Sequence, residues 1–189
     1  MRNLLSVVAV AAALLSTPAL SNEYTDQLTQ LAKSKLQEIA GNADLKKAIM
    51  DQNAKSSSYD QGKIDALDKQ WRAEVDANDK PMISGVLANA TSAYLKKVQE
   101  GSEGLYTEIF AMDAKGLNVG QSSVTSDYWQ GDESKWQKTY SVGADALHIS
   151  DVEEDESTQT FQSQVSIPVL GKDGKPIGAI TFGVNVEML

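Results

Sequence analysis

Between residues 22 and 104 the apolar side chains recur at helical intervals. Tyr24, Leu28, Leu31, Leu36 and Ile39 share a face of period near about 3.6 residues. Asn42 to Asp44 can then cap a continuation that carries Leu45, Ala48 and Ile49. Ile64, Leu67, Trp71 and Val75 come next at spacings of three, four and four, an amphipathic stripe that assigns Trp71 to a core rather than to ligand contact. Asn78-Asp79-Lys80-Pro81 reads as a stop and restart, because proline is tolerated in a first helical turn. Ile83, Val86, Leu87, Ala90, Tyr94 and Val98 form the buried face of the restarted helix, and Gly101 and Gly104 end it.

After residue 104 the period changes to two. Leu105 to Met112 reads as a strand, Asp113-Ala114-Lys115-Gly116 as a turn, and Leu117 to about Ser122 as a second strand. Ala146 to Val152 offers a further short strand. Phe161, Val165, Ile167 and Val169 alternate along another, with Pro168 marking an edge or end. Asp173-Gly174 supplies the positive φ angles of a hairpin turn. Beyond it Ile180, Phe182, Val184 and Val186 alternate with Ala179, Thr181, Gly183 and Asn185. Helices first, then hairpin, long polar insert and hairpin, is an α+β grammar: an antiparallel sheet with helices on one side. The expected organisation is one domain, with residues 22–104 as its helical part and 105–189 as its sheet part.

Composition narrows the function. The chain has 189 residues, with 26 Asp and Glu against 17 Lys and Arg, and no cysteine. A formal charge of −9 argues against a nucleic-acid partner or an anionic membrane surface. Without cysteine there are no disulfides, zinc ribbons or thiol catalysis. Met1 to Ser21 reads as a secretory signal, with Arg2 as the basic start, an apolar stretch from Leu4 to Leu15, and small Ala19 and Ser21 before a cleavage at Asn22. The alternative is an uncleaved anchor. The expected mature chain is soluble, in the periplasm if the source is Gram-negative. Its excess acid lies in residues 105–189, which hold 13 acids against 5 lysines.

The segments Ile109-Phe110-Ala111-Met112-Asp113-Ala114-Lys115-Gly116-Leu117-Asn118-Val119-Gly120 and Val165-Ser166-Ile167-Pro168-Val169-Leu170, with Gly174-Lys175-Pro176-Ile177-Gly178-Ala179-Ile180, resemble the first and last hairpins of extracytoplasmic PAS-like, or Cache, sensor domains. The similarity is to the single-module form. It implies a five-stranded antiparallel sheet behind long N-terminal helices, and a small-molecule pocket between the sheet and the insert joining its second and third strands. Members are mostly the external parts of membrane receptors. Here the chain reaches Leu189 soon after the last strand, so the expectation is a freestanding exported module that passes its signal by docking on a membrane receptor or transporter.

The insert from Thr125 to Tyr140 holds Tyr128, Trp129, Trp136 and Tyr140 among acids and amides. Gly131-Asp132-Glu133 can open a short helix with Asp132 as cap, placing Trp136 and Tyr140 on one face at i and i+4. Aromatic walls with a few polar groups suit a small ligand, and these rings with Asp127 or Asp155 would form a cage for an amine. A neutral heterocycle or sugar fits the same rings, and Lys135 and Lys138 keep an organic acid open. The competing reading is that the tryptophans plug the insert onto the sheet. Arg72, the one arginine beyond the signal, is expected on the far side of the Trp71 stripe, so the arginine-containing amino-acid motif of double-module relatives is not matched.

Asp151-Val152-Glu153-Glu154-Asp155-Glu156 reads as a solvated acidic loop in preference to a divalent-cation site, since it lacks the glycine and alternation of an EF-hand. Gln159, Gln162 and Gln164 face either the pocket or solvent. His148, in a short strand, reads as structural rather than as a base. No nucleophile elbow or phosphate-cradling loop accompanies the serines, so the expectation is a binding protein that is not an enzyme, without cofactor or metal. The alternative function is a ligand-free structural or interaction protein of the envelope.

Overall fold

A computed structural model describes residues 22–155 and 160–189. The expected signal, Glu156 and Gln159 lie outside these ranges. The chain begins with α1 (Thr25–Leu31), a single π-helical turn (Ala32–Leu36) and α2 (Gln37–Ala40), which run on from one another without a break. This helix buries Leu28, Ala32, Leu36 and Ala40, every fourth residue. In an ideal α-helix steps of four drift by about 40° each, which would carry Ala40 off the buried face. The π turn, with its wider i→i+5 repeat, takes up that drift. A sequence reading at constant period therefore places Leu31 and Ile39 on the face, whereas both lie at its half-buried margin.

Four more helices precede the sheet: α3 (Ala43–Ser56), α4 (Gln61–Val75), α5 (Pro81–Leu87) and α6 (Ala90–Glu100). The Asn42, Asp60 and Asn89 side chains each accept a backbone N–H at the start of α3, α4 and α6. Helix α5 has no such local cap. The Glu74 carboxylate, reaching over from α4, accepts the Met82 and Ile83 amides at 2.8 and 3.0 Å. Burial pushes that carboxyl up, but its bonds to Gln70, Ile83 and Met82 outweigh this and leave it below the usual range.

The strands are β1 (Tyr106–Met112), β2 (Asn118–Gln121), β3 (His148–Ile149), β4 (Glu153–Asp155), β5 (Thr160–Leu170) and β6 (Pro176–Asn185). All pair antiparallel in the order β2-β1-β6-β5-β3, with β4 also on β5. The sheet thus has six strands where the resemblance implies five. The additional one is β4, which turns part of the expected acidic loop into a ladder, Glu153 opposite Gln162 and Asp155 opposite Thr160.

One face of the sheet is apolar. Ile109, Ala111, Val165, Ile167, Val169, Ile180, Phe182 and Val184 pack with Leu28, Leu36, Leu45, Ile49 and Leu95 in the main core. Gly120 lets α6 come down on β2, since a Cβ there would stand 2.7 Å from the Thr91 side chain. A second cluster joins Ile64, Trp71 and Ile83 to Leu117 and Tyr128, so α4 and α5 pack against the hairpin end and the insert. The other face carries Phe110, Met112 and Ala179 together with Glu108, Gln164, Ser166 and Thr181. Among the described residues no helix is long and apolar enough to cross a membrane.

Candidate functional site

The insert crosses the polar face of the sheet, and its entry is fixed at the β1–β2 turn. Gly116 takes φ +80°, and a Cβ on it would lie 2.5 Å from Gly131 Cα. Asp113, fully buried, accepts the Lys115 and Leu117 amides at 2.8 and 3.0 Å and the Ser56 hydroxyl at 2.7 Å. These bonds close the turn and tie it to the end of α3.

Helix α4 holds the first half of the insert. Asp68 accepts the Tyr128 and Trp129 amides at 2.9 and 3.0 Å. Arg72 donates to Asp68 at 2.6 Å and to Asp127 at 3.1 Å. The Trp71 indole N–H donates to the Thr125 carbonyl at 2.8 Å, and its ring stacks on Tyr128 with centroids 5.4 Å apart. Arg72 therefore meets the insert, contrary to the sequence reading. Stripe geometry locates its Cα, but the long side chain reaches back along the helix surface.

The second half lies on the sheet through α7 (Ser134–Gln137). Its N-cap position is Glu133, not the expected Asp132, and no side chain caps it. Trp136 packs with Phe110, Met112 and Ala179, donates to the Asp113 carbonyl at 3.1 Å and stacks on Tyr140 at 4.9 Å. The i, i+4 pairing is as read from sequence.

Beside these anchors the insert stands off from the sheet and leaves a polar cleft. Its larger part, about 370 Å³, is lined by Glu133, Lys135, His148, Ser150, Glu153, Gln162 and Gln164. A smaller part, about 130 Å³, shares Lys135 and Gln164 and adds Glu108, Phe110, Thr125, Asp127 and Gln130. Lys135 sits between them, 2.7 Å from Glu133, 3.1 Å from the Gln130 side-chain Oε1 and 5.4 Å from the Phe110 ring centre. Gln164 donates to Glu108 at 2.8 Å. Asp127 accepts from Gln130 and Arg72; burial and neighbouring Glu133 push its carboxyl up, while Arg72 and Lys135 oppose this. Next to the cleft, under the insert's start, Asn118 Oδ1 and Gln121 Nε2 are buried without a hydrogen-bond partner.

His148 is held below its ordinary value of 6.5, first by burial and then by Lys138 and Lys135, with Asp151 opposing. It is the single histidine of the chain, so its ring can be titrated without ambiguity. The expected NMR midpoint lies below 6.5, with the ring neutral at pH 7. A midpoint at or above 6.5 would mean that it does not sit in this cleft as described.

The structure thus divides the expected aromatic cage. Tyr128 and Trp129 belong to the cluster around Trp71, where Trp129 also donates to the Lys115 carbonyl. Trp136 and Tyr140 form a separate pair over Phe110, and Asp127 lines the cleft. Asp155 is placed only by its pairing with Thr160. The four rings separate because tight turns at Gly116 and Gly131 send the chain between two different hydrophobic clusters. Glu108, Gln130, Ser150 and Glu153 are cleft residues missed in the sequence. The alternation Gln162, Gln164, Ser166 opposite Val165, Ile167 was the available signal, since it defines a polar sheet face.

No family model and no curated protein matches the sequence. Among solved structures, the sensor domain of the Vibrio cholerae histidine kinase DctB is similar at 13% identity and TM-score 0.47, over 86% of this chain and 54% of that one. The extracellular domain of the putative histidine kinase vpHK1S-Z8 is similar at 11% identity and TM-score 0.47, over 87% and 53%. The sensory domain of the Campylobacter jejuni chemoreceptor Tlp3, with isoleucine bound, is similar at 14% identity and TM-score 0.39, over 87% and 61%. The chain spans between about half and three fifths of these domains. The architecture itself, a long helical layer on one sheet face, a closing β5–β6 hairpin and an insert on the other face, is an α+β fold of the PAS/Cache-like kind.

Proposed function

We propose that the mature chain is an exported small-molecule-binding sensory module that presents its ligand state to a membrane partner. The observation that supports this most is the polar cleft between insert and sheet, whose two parts together have about the volume of a small-ligand site. Binding rather than catalysis is the proposed role. Lys135 is engaged with Glu133 and Gln130, and a neutral His148 faces lysines instead of a nucleophile.

The proposed ligand is an amine or a neutral metabolite rich in hydrogen-bond donors. Among the described residues that line the cleft, Glu108, Asp127, Glu133 and Glu153 stand against one lysine, Lys135, with Arg72 reaching Asp127 from outside. Phe110 is proposed as the apolar wall, backed by the stacked Trp136 and Tyr140, with Asp127 and Gln164 as polar contacts. Tyr128 and Trp129 act as anchors. Their packing favours a second reading, a ligand-free interaction protein, for the half of the insert they occupy.

A thermal-shift screen of amines, amino acids, nucleobases, sugars and organic acids tests this. A ligand at 100 times its Kd stabilises by about 2.7 kcal/mol, or about 5–10 °C for a chain of this size. The expected hit is an amine or neutral compound whose effect disappears in Gln164→Leu. No shift with any compound, together with a Gln164→Leu protein more stable than the parent, would favour the ligand-free reading.

A further inference from the structure

On the helical side of the sheet, a second cavity of about 310 Å³ opens between the π turn, β5 and the segment that precedes β3. We infer that it is a second binding site, for a small amphiphilic monoanion such as a carboxylate with a short hydrocarbon body. It is separate from the insert cleft: Ile167 reaches it from the apolar sheet face, while Gln162 and Gln164 line the cleft across the sheet.

Its origin is visible in the helix. Where Leu28 and Leu36 fill the space over the sheet, Ala32 and Ala40 stand between and beyond them and do not. Leu147 and Ile167 supply an apolar floor, and Pro168 lies at the strand edge where no N–H is available to a neighbour. That floor suits a hydrocarbon body.

The rim carries the charge. Lys33, in the π turn, and Lys46, in α3, converge on the cavity from two elements. Neither has an ion-pair partner among the described residues, whereas Lys47, Lys135 and Lys175 each have one. In a chain of charge −9, two unpaired ammonium groups over an apolar floor are a selective feature for an anionic head. Asp145, the acidic group at the same rim, disfavours a second negative charge and so selects a monoanion.

The probes are hexanoate, hexylammonium, hexanol and acetate, titrated into the intact mature chain with backbone amide NMR. Hexanoate is expected to shift the amides of Lys33, Ala146, Leu147 and Leu170 saturably, and to leave the His148 ring unmoved. Lys33→Gln with Lys46→Gln should weaken it about tenfold or more, the scale of losing charge-assisted contacts. Ala146→Phe, which fills the cavity from its exposed segment, should abolish it. Hexanol should bind more weakly, and acetate not measurably. Equal shifts with hexylammonium, no saturable shift with hexanoate, or shifts that survive both the lysine and Ala146→Phe changes would overturn the assignment. Failure of the insert cleft to bind any compound would leave these results unaffected.

Discussion

Trp71→Ala is expected to lower the free energy of unfolding by about 3–5 kcal/mol, the range for a buried aromatic removed from a core. Trp71 is fully buried, in the cluster that joins α4 and α5 to Leu117 and Tyr128. Its loss also strands the Thr125 carbonyl and removes the face on which Tyr128 stacks. The effect should therefore spread along the insert: hydrogen exchange at residues 125–130 should rise far more than at β5 or β6. Trp71→Phe keeps a ring against Tyr128 and loses the indole bond, so it should cost about 1–2 kcal/mol. Equilibrium urea unfolding of the three proteins checks this. Equal costs for both variants would mean that the hydrogen bond to Thr125, rather than packing, holds the insert.

Asp113→Ala is the second large effect. It deletes one carboxylate that accepts from Lys115, Leu117 and Ser56, leaving buried donors without an acceptor. Each such group costs about 1–3 kcal/mol, so a total of about 3 kcal/mol or more is expected. Asp113→Asn keeps an oxygen for the two backbone amides and turns an amide toward Ser56, whose hydroxyl can accept. It should cost about 1 kcal/mol. Thermal melts give the comparison, and a harmless Asp113→Ala would show that the turn is held by Gly116 alone.

These two residues also show what was legible in the sequence. Period-two alternation in β6 placed Ile180, Phe182 and Val184 on one face, and they pack there against the helices. Asn42 was readable as a cap because capping is local, fixed by a side chain and an amide three residues on. Trp71 was readable as core from its stripe. Its partner was not, because the bond to Thr125 spans 54 positions. For the same reason Glu74 gave no hint that it caps another helix, nor Asp68 that it grips the insert.

The candidate site was legible in place but not in composition. The insert between the second and third strands stands out in the sequence for its rings. Yet rings mark burial as readily as binding, and two clusters divided them. The polar groups of the cleft come from β1, β3, β4, β5 and the insert, brought together by strand pairing that no single stretch encodes. Arg72 illustrates the same limit: its reach to Asp127 depends on where α4 lies.

If the cleft between insert and sheet takes a small ligand, the His148 ring in its wall must sense it. Its NMR signals, followed while the best compound of the thermal-shift screen is added, give the decisive readout. The expected result is a saturable movement of the His148 ring resonances with the same midpoint as the thermal stabilisation, lost in Gln164→Leu. A stabilising amine or neutral compound that leaves His148 still while moving amides elsewhere would contradict a ligand site in this cleft.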